Sequence, residues 1–375
     1  MPSDKEILAN LREYLTAPEA GKDFTLPDLP DEFELEDVPY YIADKKHWSG
    51  AACAQMILAY HGRAIPEQAE IASEMGIEDW QYMNHESLEE DMVRYVTKKN
   101  LIPSIYFPAL RLSALFPDDA EKMGDFMYRN MEEIMPQDWE FFKATLVQDK
   151  APVFIRIHFT TEYYPMSEEM AQILDNVGHG VLIVGYNKEG FIIHDPWNKD
   201  KWGGTKGGAR TLLQYDEMLG PGHAVNSTYD FMASFSPLKV QFRMPYQIPF
   251  PNKDIEIGAY IKAPGIHGIH GECFTLTGVE GFIRAQRNLE LRTVDSSMKS
   301  AFLTPGMREE LRWSLNTGSV IGSVPLSAKV QATVHIPRRP WERNNRKDES
   351  VTVHSTASTR IDVKNPDWFH LYGRL

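Results

Sequence analysis

The chain has 375 residues, of which 42% are hydrophobic and 25% are charged, a composition typical of globular proteins. No apolar run approaches the roughly 20 residues of a membrane-spanning helix, and the acidic N-terminal segment is unlike a secretory signal, so we expect no membrane partner. Two cysteines cannot form a disulfide framework, which favours a cytoplasmic protein.

The charge is distributed unevenly. The net charge is −14, yet residues 283–375 contain 15 Lys and Arg against 9 Asp and Glu, while the rest contains 24 against 44. This contrast indicates two modules. Because the larger module is acidic and would repel phosphate, we expect no nucleic-acid partner.

The first elements in chain order are helical. Residues 4–16 are predicted to form an amphipathic helix, and residues 19–37 an acidic, extended segment. A short strand at 38–42 is predicted to lead into WSGAACAQMILAYHG, residues 48–62. This stretch reads as a helix with an apolar face and with Gly62 as its stop. Further helices are expected from Pro66, over 86–99 and over 137–148.

The hydrophobic period then changes from that of helices to that of strands. Residues 151–157, 180–186 and 191–195 have strand-like sequences, and a short turn joins the last two as a hairpin. Beyond Pro237, alternating apolar residues predict antiparallel strands that form a β-sandwich. The expected fold is α+β, with an N-terminal extension at 1–37, a catalytic domain at 38–236 and an all-β, sandwich-like domain at 237–375.

Three positions form a candidate catalytic group. Ser49 begins the helix at 48–62, His179 lies at the mouth of the first hairpin strand, and Asp195 ends the second. An aspartate that accepts a hydrogen bond from one imidazole nitrogen fixes the tautomer and leaves the other nitrogen for the nucleophile. Cys53, one turn into the helix, is better interpreted as a small core residue.

The two motifs around these positions resemble papain-like cysteine peptidases, in the branch of the bacteriocin-processing, double-glycine peptidases. Val38-Pro39 with Gly50-Ala51-Ala52, Met56 and Tyr60-His61-Gly62 is similar to its first signature. Its second signature is similar to Gly178-His179-Gly180-Val181, Gly185-Tyr186 and Asp195-Pro196-Trp197. The resemblance covers about residues 36–220 and implies a papain-like fold with residues 49, 179 and 195 as its triad.

Two positions depart from the family pattern. The nucleophilic cysteine falls on Ser49, and the oxyanion-hole glutamine falls on Ala43. Serine gains no ionised population from a helix N-terminus, so it needs a base to take its proton. Three explanations remain open: Ser49 replaces a native cysteine by engineering, Ser49 is a weaker native nucleophile, or the domain binds peptides or acyl chains without turnover.

The resemblance favours hydrolysis of a peptide bond, with no cofactor and no metal. The alternatives are an acyltransferase of natural-product biosynthesis, which forms an amide from a carrier-bound acyl group, and an inactive peptide-binding protein. The partner is therefore a peptide or an acyl-carrier-bound substrate, and the oligomeric state is left open. The residues assigned to the oxyanion and substrate pocket are Gly50, Trp48, Ala43, Gly178 and Trp197. Lys45, Lys46 and Trp48 are candidate replacements for the missing glutamine.

Overall fold

The computed structural model describes residues 5–8, 28–77, 88–106, 122, 126, 129–158, 164, 178–218, 232–243, 249–265, 276–285, 290–291, 297–303, 306–336 and 349–365. Within these ranges the protein is α+β, as predicted, with every strand pair antiparallel. None of the described helices is long and apolar enough to cross a membrane.

The helices precede or flank the first sheet. They are α1 (Ser49–Tyr60), α2 (Gln68–Met75), α3 (Leu88–Lys98), α4 (Met131–Asp149) and α5 (Lys199–Trp202), followed by a 3₁₀ turn at Asp216–Met218. Residues 5–8 are also helical, and the rest of the helix predicted at 4–16 lies outside the described residues. The helix predicted at 137–148 is present but longer, because α4 begins at Met131, six residues before the predicted start.

The helix α1 occupies the centre of the core. All ten residues from Ser49 to Leu58 are buried, so the buried surface of the helix extends beyond the predicted apolar face. A helix that is apolar or small on every side is typical of a buried element. The helix ends as predicted, with Gly62 at a φ of 61° in the left-handed region.

The first sheet has seven strands. In chain order they are β1 (Phe33–Glu34), β2 (Ile102–Tyr106), β3 (Val153–His158), β4 (Gly178–Tyr186), β5 (Gly190–Asp195), β6 (Gly208–Gln214) and β7 (Met232–Ser236). The spatial order is β2-β7-β3-β4-β5-β6, with β1 paired to β4. The strand predicted at 38–42 is absent; residues 38–43 form no strand, and the pairing with β4 is made further upstream by β1.

The predicted hairpin of β4 and β5 is present, but its register changes part-way along. Near the turn, Tyr186 faces Phe191, whereas farther along Ile183 faces Ile193. One extra residue of β4, Val184, lies between the two registers as a β-bulge. Because side chains alternate between faces, this single insertion puts His179 and Asp195 on the same face of the sheet.

Two four-stranded sheets follow. Their strands are β8 (Lys239–Arg243), β9 (Asp254–Lys262), β10 (Leu276–Ala285), β11 (Glu290–Leu291), β12 (Ser297–Leu303), β13 (Arg308–Asn316), β14 (Gly322–Ile336) and β15 (Glu349–Val363). The orders are β12-β10-β14-β15 and β11-β13-β9-β8. The sheets pack face to face, since a side chain at Gly281 would strike Leu311 and Trp313.

The predicted alternation holds in this part of the chain. Along β9 the four alternating apolar residues from Ile255 to Ile261 are all buried. Along β14 the residues from Val330 to Ile336 are buried at every second position, and the polar residues between them point away from the core. Two further features of the sequence lie outside the described residues: a stretch rich in Arg and Lys at 338–347, and a stretch with two histidines and a cysteine at His267–Cys273.

Candidate active site

The N-terminus of α1 lies against the start of β4. The hydroxyl oxygen of Ser49 accepts a hydrogen bond from the backbone N–H of Gly180, at 3.1 Å. A Cβ on Gly180 would lie 2.8 Å from the Phe154 ring, whereas the Gly50 nitrogen, at 3.5 Å, would be within ordinary contact distance. Ser49 is therefore held beside the residue that directly follows His179.

His179 and Asp195 are paired directly. The Nε2 atom of His179 lies 2.6 Å from Oδ1 of Asp195, and both side chains are at most 1% exposed. A carboxylate at Nε2 selects the tautomer with its proton on that nitrogen. Nδ1 is then the basic nitrogen of the imidazole. The structure thus brings the side chains of His179 and Asp195 into contact. Ser49 lies beside Gly180, the residue that follows His179.

Asp195 is held by several groups that the sequence did not reveal. Its Oδ1 also accepts from the backbone N–H of Trp197 at 3.0 Å, and its Oδ2 accepts from the Tyr164 hydroxyl at 2.9 Å. The Tyr40 hydroxyl donates to the Asp195 backbone carbonyl at 2.9 Å. Burial and the nearby carboxylate keep the pKa of Tyr164 well above its usual value, so it acts as a neutral donor. These bonds compensate the desolvation of a fully buried carboxylate.

Aromatic rings surround the imidazole of His179. The ring of Tyr164 is 5.0 Å away between centroids, and that of Trp197 is 6.2 Å away at an angle of 89°. The Trp197 indole N–H donates to the carbonyl of Gly203 at 2.8 Å, which anchors the glycine-rich segment after α5 beside the site. Trp197 is 1% exposed, so it forms a wall of the site.

The other residues that were predicted to form the oxyanion and substrate pocket differ in their positions and bonds. Ala43 donates its backbone N–H to the carbonyl of Pro196 at 2.9 Å, which ties the segment before α1 to the segment after Asp195. Gly50 is buried in the first turn of α1, and Gly178 begins β4 opposite His158. The Trp48 indole N–H donates to the carbonyl of Ile77, at 3.1 Å, and this bond removes it as a substitute for the missing glutamine.

Cys53 lies in the core, as predicted. Its side chain is fully buried, and that burial, followed by the charge of Asp195, raises the pKa of its thiol well above the usual value. A buried, protonated thiol is a poor nucleophile. Among the described residues no group of His, Cys, Asp and Glu side chains could hold a metal ion.

Tyr164 and Tyr40 are the residues that sequence reasoning missed. Tyr40 belongs to the Val38-Pro39 stretch that carries the family resemblance, so its place in that motif was an available signal. No motif in the sequence around Tyr164 indicates a functional role, because that role depends on a contact with Asp195, 31 residues away.

With this geometry in place, comparison with known proteins gives a match for the first part of the chain. Residues 35–214 match the Peptidase_C39 like family. This segment, which contains all three candidate residues, is similar to that family, and the match supports a relationship to papain-like C39 peptidases. No protein in the curated collection matches the chain.

Solved structures give only distant likenesses. A complex of Zinc 2-glycoprotein and Prolactin inducible protein from human seminal plasma matches at 9% identity and a TM-score of 0.19, over 33% of this chain and 93% of that one. The alpha-2-macroglobulins of E. coli and Salmonella match at 12% and 11% identity, both at a TM-score of 0.22 and over 57% of this chain. The chain spans only 15% and 14% of their lengths. Such TM-scores do not establish a shared fold.

Proposed function

We propose that the papain-like part of this protein hydrolyses a peptide bond with Ser49, His179 and Asp195 as its catalytic triad. The observation that supports this most directly is the 2.6 Å contact between Nε2 of His179 and Asp195, beside a serine at a helix N-terminus. An imidazole oriented in this way has its Nδ1 lone pair available as a general base.

The proposed reaction has two stages, formation and hydrolysis of an acyl-serine ester. Ser49 Oγ bonds to the substrate carbonyl carbon as its proton passes to Nδ1 of His179, and the carbonyl electrons move to oxygen. The C–N bond then breaks, and the leaving amine takes the proton from His179. Water, deprotonated by the same imidazole, attacks the acyl-serine ester and releases the acid and Ser49. Asp195 orients the imidazole and stabilises its positive form.

The oxyanion would be held by backbone groups. The first-turn N–H groups of a helix have no intrahelical acceptor, and Ala52 is the first residue of α1 that bonds back, to the carbonyl of Trp48. The N–H groups of Ser49 and Gly50 precede it and are the proposed donors. Without a glutamine at position 43, one donor worth about 3 kcal/mol in the transition state is missing, so we expect slow turnover.

A second candidate function, acyl transfer to an amine, is favoured by burial. In the described part of the chain Ser49 is 4% exposed and His179 is 1% exposed. A site that excludes water protects an acyl-enzyme from hydrolysis and leaves it for an amine, as in amide formation from a carrier-bound acyl thioester.

The test of nucleophilicity is covalent labelling with a neutral fluorophosphonate probe, followed by peptide mass spectrometry. We expect the label on Ser49 and its loss in Ser49→Ala. Acyl thioesters and peptides offered with and without an amine then separate transfer, which yields an amide, from hydrolysis, which yields an acid. A protein that binds peptides but takes no label at Ser49 would be a binding protein and would contradict the proposal.

The thiol form of the site gives a complementary test. In Ser49→Cys, made together with Cys273→Ser, an iodoacetamide probe should label position 49 much faster than Cys53, because Cys53 is buried and its thiol pKa is raised. His179→Ala in the same background should slow this labelling. Faster labelling of Cys53 would remove position 49 from the mechanism.

A further inference from the structure

Three lysines lie next to the candidate active site, in a part of the chain that is otherwise acidic. Lys45 has its ammonium group 4.1 Å from the centre of the Trp48 ring, Lys46 lies 5.7 Å from that of Trp197, and Lys201 lies 5.9 Å from that of Trp202. We call Lys45, Lys46 and Lys201 the lysine rim.

Two members of the lysine rim, Lys46 and Lys201, connect to the imidazole through the tryptophans beneath them. The rings of Trp197 and Trp202 are in edge contact, with centroids 5.0 Å apart, and Trp197 in turn contacts His179. Lys46 and Lys201 therefore lie over the wall of the site. Lys45 and Lys46 come four and three residues before Ser49, on the segment that leads into α1.

The positive charge of the rim is not balanced by ion pairs with described residues. Two other cations of this region are paired: Lys206 pairs with Glu217, and Arg210 pairs with Glu34 at 2.8 Å. No described carboxylate forms such a pair with the three rim lysines, although Asp44 and Asp200 are exposed neighbours of the same segments. Unpaired cations over aromatic rings beside a catalytic group are well placed to bind an anion.

We propose that the lysine rim makes the site selective for peptides with acidic side chains close to the scissile bond. This proposal rests on the function proposed above and adds the substrate class. Each lysine supplies a charge that meets a Glu or Asp of the substrate as its carbonyl approaches Ser49. One exposed ion pair between a lysine and a substrate carboxylate changes the binding constant only a few-fold. The selectivity therefore comes from several such pairs acting together.

The experiment measures binding without turnover. Two fluorescent peptides of equal length, one with several Glu residues and one with Gln at those positions, are titrated against the Ser49→Ala protein. We expect the Glu peptide to bind more tightly and its affinity to fall with added salt, because charges near a surface are screened within about 10 Å at 0.1 M. The Gln peptide should show little salt dependence.

Reversing the charge of two rim lysines tests whether the lysine rim causes the preference for the Glu peptide. Lys46→Glu with Lys201→Glu should weaken Glu-peptide binding roughly tenfold, since two attractions become repulsions. The matched control is Lys329→Glu, at an exposed position of β14, and it should leave binding unchanged. Equal affinity for both peptides, or an equal effect of the control, would overturn the proposal.

The two proposals fail separately. Peptide binding is measured on a protein that cannot turn over, so it does not depend on a nucleophilic Ser49. Absence of fluorophosphonate labelling in the unmodified protein would reject the catalytic proposal alone. Preserved labelling without preference for the Glu peptide would reject the role of the lysine rim alone.

Discussion

The two parts of this protein differ in what they bury. The seven-stranded sheet and its helices contain nearly all of the buried polar side chains of the described residues, and the two sheets from β8 to β15 contain one, Thr317. The others are Ser49, Gln55, Gln68, Asp91, Arg94, Thr97, Ser104, Thr145, Asp149, His179, His194, Asp195, Ser234 and Ser236. Burying polar groups costs stability unless they are bonded, so a fold retains them where chemistry or specificity requires them.

The sandwich, in contrast, has the interior of a packing scaffold. Its core consists of alternating aliphatic residues around Trp313, which is 1% exposed. Such a core contributes stability through apolar area and close packing. The comparison therefore favours a catalytic role for the first part of the chain and a supporting role for the second, and four changes test this hypothesis.

The largest expected effect is on the general base. His179→Ala should reduce fluorophosphonate labelling of Ser49 by roughly 10² to 10⁴, because it removes the proposed acceptor of the serine proton. The measurement is the labelling rate by mass spectrometry on protein shown to be folded. His335→Ala, on the exposed face of β14, is the control and should label normally. Unchanged labelling of the His179 variant would place the chemistry elsewhere.

The sandwich core should affect stability and leave the chemistry alone. Trp313→Ala should lower the free energy of unfolding by about 3–5 kcal/mol through the cavity it leaves, measured by denaturant titration. Phe302→Ala, which removes a side chain that is 57% exposed, should change it by less than about 0.5 kcal/mol. If the folded Trp313 variant lost its labelling at Ser49, the separation of the two parts would be wrong.

Tyr164 should have an intermediate effect on catalysis. Tyr164→Phe removes the donor to Oδ2 of Asp195, a bond to a charged group worth about 1.5–3 kcal/mol, and should slow labelling roughly tenfold. The measurement is the labelling rate of Ser49 on protein shown to be folded. Tyr60→Phe, whose hydroxyl bonds the carbonyl of Lys150, is the control and should label at the normal rate. An unchanged rate in the Tyr164 variant would mean that its hydrogen bond to Asp195 does not contribute to catalysis.

The smallest expected effect is the pH dependence of stability. Burial lowers the pKa of His61 to about 4 and also lowers the pKa of His194. Between about pH 6.5 and 4 the unfolded chain therefore binds protons that the folded protein does not, and stability falls as the pH falls. Denaturant titrations at several pH values should show this slope of the free energy of unfolding against pH, and His61→Gln should make the slope smaller. An equal slope in the variant would mean that His61 does not contribute.

Much of the architecture was predictable because it follows from local pattern. Alternation along β9 and β14 identified buried and exposed faces, since side chains of a strand point to opposite sides in turn. The turn predicted at 187–190 identified the hairpin of β4 and β5. The failures were also local: residues 38–42 look like a strand but have no partner strand, and the apolar face predicted for α1 did not indicate that the helix is buried on every side.

The sequence by itself determined which residues could carry chemistry: a serine at a helix start, a histidine between two glycines and an aspartate at a strand end. Only the tertiary structure decided that they converge. The register set by the turn alone would put His179 and Asp195 on opposite faces, and the bulge at Val184 brings them to one face. Likewise, Tyr164 reaches Asp195 and the Trp48 indole turns to Ile77 because of long-range packing, which no local pattern encodes.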